Sequence, residues 1–162
     1  MERVLEKFGM NNVKPVKLPL ASHFKLSLVL SHRTNEEKKY ISHVPYENVI
    51  GNLLYVMASR ILDISHEVGV VRRFMGNLVE EHWRVVKWVL RYLRGISDHC
   101  IIFNGSDGSA YGYMDADYAG DLDKKISTTD YVFTLAGGAI SWMSKLQEIV
   151  ALSTTESKCI VA

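Results

Sequence analysis

The chain has 162 residues, 48% of them hydrophobic and 23% charged, with a formal net charge of +1. That is the composition of a globular protein with apolar material for one ordinary domain or two small ones, and no low-complexity tract interrupts it. A balanced charge excludes a globally basic nucleic-acid binder, so any such footprint must be local.

Residues 1–12 read as a short helix with Val4, Leu5 and Phe8 on one side. Pro15 and Pro19 then enforce an extended segment, because proline lacks a donor and restricts the residue before it. From Ser22 to Lys39 the chain is polar without a clear period and reads as a loop or linker, with Asn35–Lys39 its solvated portion. Three amphipathic helices follow. The first runs from about Pro45 to Arg60, with Val49, Ile50, Leu53, Leu54 and Met57 at helical spacing and a first-turn proline that costs nothing. The second starts near Asp63 as N-cap and carries Ile64, Val68, Val71 and Met75 on one stripe. The third has Asn77 as cap, Glu80 three residues on as a capping-box partner, and Gly95 as its stop.

That third helix has a second face. Arg84, Lys87, Arg91 and Arg94 fall at steps of three, four and three, so they project from one side. A basic stripe of this kind can track a phosphate backbone without reading bases; it can equally be a solvated face that suits the helix dipole.

Cys100–Phe103 reads as a short apolar strand, joined by the Asn104–Gly108 turn cluster to a second arm at Tyr111–Asp115. Asp117 to Asp123 reads as a turn. Tyr131–Leu135 and Ala139–Ser144 read as a hairpin closed by Gly137 and Gly138, and Val150–Lys158 opens a helix. Asp115 thus ends one strand and Glu156 starts a helix. The nearby acids have simpler uses too: Asp117, Asp121 and Asp123 suit a turn, and Glu156 completes a Ser-x-x-Glu capping box with Ser153. A calcium loop from Asp115 fails, since its fifth position is Ala119 and its twelfth Ile126.

Cys100 and Cys159 stand far apart without metal spacing, and the six histidines form no zinc pattern; reduced thiols are expected. No apolar run is long enough to span a bilayer, and the first residues lack a signal core. An intracellular protein, neither secreted nor in a membrane, is expected.

Three blocks carry a resemblance: Gly112–Gly120 (GYMDADYAG), Ser127–Trp142 (STTDYVFTLAGGAISW) and Val150–Glu156 (VALSTTE). In order and spacing they resemble the ribonuclease H domain of copia-type retrotransposon polyproteins. Upstream, Tyr46–Tyr55, Asp63–Phe74 and His82–Gly95 resemble the connection between reverse transcriptase and that domain, and Val4–Leu26 is similar to the end of the polymerase.

The resemblance implies an α+β chain in three parts. These are a remnant of the polymerase end with a linker at 1–40, a helical connection at 41–97, and an incomplete ribonuclease H-like unit at 98–162. It implies Mg²⁺-dependent cleavage of RNA in RNA–DNA hybrids, with Asp115 in the family's first-strand position, Glu156 in its helix position, and Asp117 the fallback ligand one pleat away. Two Mg²⁺ ions held between carboxylates would activate water and stabilise the leaving oxygen. It also places Arg84, Lys87, Arg91 and Arg94 where the hybrid or duplex must pass. The family's third metal-binding aspartate and the polymerase's paired aspartates have no counterpart in the chain. Leu62, Leu78, Asp130, Lys158 and Cys159 depart from the family pattern. The implied chain is therefore a fragment with little or no activity. A non-catalytic nucleic-acid-binding module, or self-association through an open sheet edge, are the alternatives.

Overall fold

A computed structural model describes residues 1–21, 24, 26, 34–105, 108–121 and 123–161 (Arg60 by its backbone alone). The chain divides into two units, Met1–His99 and Cys100–Ala162. The first takes in both segments that the sequence reading separates at residue 40, because α1 (Glu2–Lys7) inserts Leu5 into the same apolar core as the later helices.

That core is built by α3 (Tyr46–Arg60), a 3₁₀ turn at Leu62–Ile64, α4 (Ser65–Arg72) and α5 (Glu80–Gly95). Val49, Ile50, Leu53 and Val56 from α3 meet Ile64, Val68 and Val71, and all pack on Val85, Val86, Val89, Leu90 and Leu93 of α5. Each such side chain contributes about 1.5–3 kcal/mol by leaving water, so the unit's stability rests here. Tyr46 closes the edge: its hydroxyl donates to Val71 O at 2.7 Å, and burial pushes the phenol's pKa well up.

Several expected boundaries move. Asn35–Lys39 faces solvent but is helical, opening α2 (Asn35–Ser42), because the Thr34 hydroxyl accepts Glu37 N–H at 3.1 Å. Asp63 does not cap a helix; it sits inside the 3₁₀ turn and accepts the Tyr92 hydroxyl at 2.9 Å. Asn77 is not the cap of α5. Val79 is buried at the N-cap, and the ring of His82 replaces a capping carboxylate, its Nδ1 accepting Val79 N–H at 3.2 Å. His82 is itself fully buried, stacked 4.0 Å from Phe74. Gly95 is the last helical residue without a positive φ, so the conformational freedom of glycine is not what the position requires.

The second unit is a meander of β1 (Ala110–Asp117), β2 (Thr128–Leu135) and β3 (Gly138–Leu146), antiparallel in that order, with α6 (Thr154–Val161) against β1. The β2–β3 loop is Ala136–Gly137, with φ of 48° and 78°; two positive φ values match the twist of a tight hairpin. A bulge beyond Phe133 leaves Ile140 between the pairs Thr134↔Ala139 and Phe133↔Ser141.

The expected strand at Cys100–Phe103 is absent. This segment is irregular, and Gly105 N–H donates to Ala136 O at 2.9 Å, tying it to the β2–β3 turn instead of to β1. Among the described residues β1 is therefore an edge, paired with β2 alone. From Cys100 onward the one buried apolar side chain among them is Ala151, and Tyr113, Met114, Phe133 and Ile140 are all exposed. No helix of the described residues is long and apolar enough to cross a membrane.

Candidate functional site

Alternation along β1 puts Tyr111, Tyr113, Asp115 and Asp117 on one face and Gly112, Met114 and Ala116 on the other. Asp115 is exposed, and its Oδ1 accepts Ala116 N–H at 2.8 Å. Directly across the ladder stands Asp130 of β2, with Asp117 on the diagonal. Three acids thus share one patch of sheet, and like charges placed directly opposite cost stability. The carboxylate of Asp117 folds over Gly120, where any Cβ would collide with it. Asp121 is buried and accepts Asp123 N–H at 3.0 Å and Lys124 N–H at 2.7 Å, which makes it the organiser of the turn.

Glu156 lies in the first turn of α6. Its Oε2 accepts Leu152 N–H at 2.7 Å, and its own N–H donates to Ser153 Oγ at 3.1 Å. The structure thus makes the Ser153 half of the box that the Ser-x-x-Glu spacing allows, while the carboxylate reaches back one residue further, to Leu152. The helix is fixed to the sheet by Gln147, whose Nε2 donates to Thr129 Oγ1 at 3.2 Å and to Ser157 O at 2.8 Å. Thr129 pairs with Ala116, so this link is made on the face of β1 opposite to the one bearing Asp115. β1 and α6 are neighbours, while the carboxylates of Asp115 and Glu156 are each engaged with backbone N–H groups of their own segment.

Asp115, Asp117 and Asp130 offer the hard oxygens that Mg²⁺ takes. Among the described residues, however, no group of three His, Cys, Asp or Glu is placed to hold a metal. With Glu156 spent on its cap, this arrangement of described residues does not fit a two-metal centre.

The basic stripe of α5 has a different surrounding from a bare solvated face. Arg84 is paired with Glu80 at 2.9 Å and Glu81 at 3.1 Å, and these two carboxylates raise its pKa. Arg91 Nε donates to Lys14 O at 2.8 Å, and Arg94 Nε to Asn11 O at 2.9 Å. Trp88 Nε1 adds a third bond, to Leu18 O at 2.9 Å. Residues 88, 91 and 94 form one line along the helix, and residues 18, 14 and 11 run antiparallel beside them as a strap. Pro15 and Pro19 keep the strap extended and bring no N–H that needs a partner. Gly95 is small for this reason: a Cβ there would stand 3.2 Å from Pro15 Cβ and 3.4 Å from Val16 O. Lys87 and Arg91 lie over the rings of Trp83 and Trp88, at 5.9 and 5.1 Å from the centroids.

The sequence reading did not single out Asp130 as an acid facing Asp115, nor the strap. The first follows only from strand register, which one chain of side-chain periods does not set. A signal for the second was present: from Lys7 to Asn35 there is no Asp or Glu, while Lys14 and Lys17 bracket Pro15.

Fold and site together define an α+β protein with an acid-bearing antiparallel sheet and a helical unit whose last helix is basic. No family model matches the sequence, and no solved structure matches it. Over its whole length the chain is 55% identical to a retrovirus-related Pol polyprotein from transposon TNT 1-94 of Nicotiana tabacum. Across 96% of its length it is 36% identical to the retrovirus-related Pol polyprotein from transposon RE2 of Arabidopsis thaliana. A shorter relative, secreted RxLR effector protein 161 of Plasmopara viticola, is 39% identical over 119 residues, which are 73% of this chain and 84% of that protein. The chain belongs to the copia-type family of retrovirus-related transposon Pol polyproteins. It spans 12% of the tobacco polyprotein's length and 10% of the Arabidopsis one's.

Proposed function

We propose that this chain is the part of a copia-type Pol polyprotein that joins the end of the reverse transcriptase, through a helical connection, to the start of a ribonuclease H-like unit. Identity over the whole chain to the tobacco polyprotein carries the reading. The parental activity is then Mg²⁺-dependent removal of RNA from RNA–DNA hybrids, and the chain itself has little or none. Two features support the second half: Glu156 is committed to Leu152 N–H, and among the described residues no three acids are placed together to hold a metal. The role left to the chain is grip on the hybrid or duplex backbone through Lys87, Arg91 and Arg94 of α5.

The test is a hybrid substrate with and without Mg²⁺. Binding that weakens steeply with salt, without cleavage, is the expected result. Mg²⁺-dependent cleavage that vanishes in Asp115→Asn would overturn the inactive assignment, and absence of any salt-dependent binding would overturn the gripping role.

One observation favours a second reading. The open edge of β1 and the exposed Tyr113, Met114, Phe133 and Ile140 suit a sheet that pairs with another chain. Self-association that rises with concentration, in the absence of nucleic-acid binding, would select it.

A further inference from the structure

We infer that the anion-binding surface is a composite of two elements, with Lys14 and Lys17 of the strap adding to Lys87, Arg91 and Arg94 of α5, and that its partner is the phosphate backbone of a nucleic-acid duplex. The inference rests on the gripping role proposed above and deepens it by changing which residues count.

Three observations converge. First, the strap is fastened along the basic line of α5 at three points, so its residues share that side of the helical unit. Second, the fastening leaves charge outside. Lys14 and Lys17 are exposed, and the strap contributes only backbone carbonyls to the bonds with α5, so both ammonium groups remain additional to the helix's own cations. Both arginines are held through Nε, which turns the guanidinium but leaves the rest of the fork, Arg94 Nη1 reaching only Ser97 Oγ at 3.4 Å. Third, acids are kept to the ends. None occurs between Lys7 and Asn35 in the sequence, Glu80 and Glu81 sit at the start of α5, and Asp98 lies past its end, bonded to Ser97. Arg84, neutralised by its two glutamates, drops out of the surface, whose centre moves toward the C-terminal half of α5.

A partner that reads only charge along a line, with flat aromatic rings between the cations, is a polyphosphate backbone rather than a shaped pocket ligand. Each cation–phosphate contact lowers the slope of log K against log salt by roughly 0.9, which corresponds to about five-fold in affinity at 0.15 M salt.

The experiment measures binding of the full chain to a fluorescent RNA–DNA hybrid across a salt series. The variants are Lys14→Gln/Lys17→Gln and, as a matched charge control on exposed lysines of α2, Lys38→Gln/Lys39→Gln. The strap substitutions leave all three carbonyl acceptors in place, and unchanged helical circular dichroism checks the fold. Supporting results are a slope shallower by about 2 and affinity down on the order of thirty-fold for the strap variant, with the control unmoved. Equal losses in both variants would overturn the composite surface, as would no loss in the strap variant while Arg91→Ala or Lys87→Ala still weakens binding. If the wild-type chain binds no hybrid at any salt, the gripping role and this inference fall together, which is distinct from failure of the strap alone.

Discussion

Replacing Glu156 by alanine and by glutamine separates two uses of one carboxylate. In the structure its Oε2 accepts Leu152 N–H at 2.7 Å while Ser153 Oγ accepts Glu156 N–H at 3.1 Å. Alanine removes the first of these bonds and leaves one orphan donor at the helix start. Because that region is solvent-exposed, water can take the donor, and the cost falls within the usual range for a lost cap, about 1 kcal/mol. Glutamine keeps an acceptor oxygen but loses the charge assistance and the favourable dipole term, so roughly half that cost is expected. For a unit the size of Cys100–Ala162, 1 kcal/mol lowers the melting midpoint by about 4–8 °C. Thermal unfolding followed by circular dichroism should therefore rank wild type above Gln above Ala. Added Mg²⁺ should shift all three midpoints equally if the carboxylate serves only the cap. The reasoning is refuted if the alanine variant melts with the wild type and a Mg²⁺-dependent rise in wild-type midpoint disappears in the glutamine variant.

Leu53→Ala should destabilise the helical unit by about 2–5 kcal/mol in denaturant titration, because Leu53 is fully buried among the side chains of three helices. Gly105→Ala should detach the segment before β1 from the hairpin: its Cβ would stand 2.8 Å from Ala136 C and 3.0 Å from Ala136 Cα, backbone that cannot swing aside. Faster hydrogen exchange at the Gly105 position is the readout, with a cost of about 1–3 kcal/mol. Tyr92, with the more deeply buried Tyr46, sets the alkaline limit. Burial first, then its bond to Asp63, pushes its pKa up to about 12 from 10.0. A folded-state pKa above the unfolded one means stability is fully present below pH 10 and lost as pH rises toward 12. Tyr92→Phe should therefore flatten the fall in melting temperature across that window, and an unchanged slope would count against it.

What one dimension of sequence could determine here was periodicity and local chemistry. The apolar spacing of α3 and α5 and the Ser153 side of the α6 cap are each written within a few residues, and the structure has them where the pattern puts them, whereas β1 runs on to Asp117, which the sequence reads as the start of a turn. Local signals also misled where a distant group competed for the same backbone. His82, not Asn77, caps α5; Asp63 was taken up by Tyr92, twenty-nine positions away; and the apolar Cys100–Phe103 run leads into Gly105, which is tied to the β2–β3 turn and not to β1. Tertiary structure alone decided which acids and cations meet. Strand register set Asp130 opposite Asp115, and the return of residues 11–18 along α5 turned a helical stripe into a two-element surface. The physical reason is that hydrogen bonds within one turn depend on neighbours in the chain, whereas charge density on a surface depends on segments that the chain must fold to bring together.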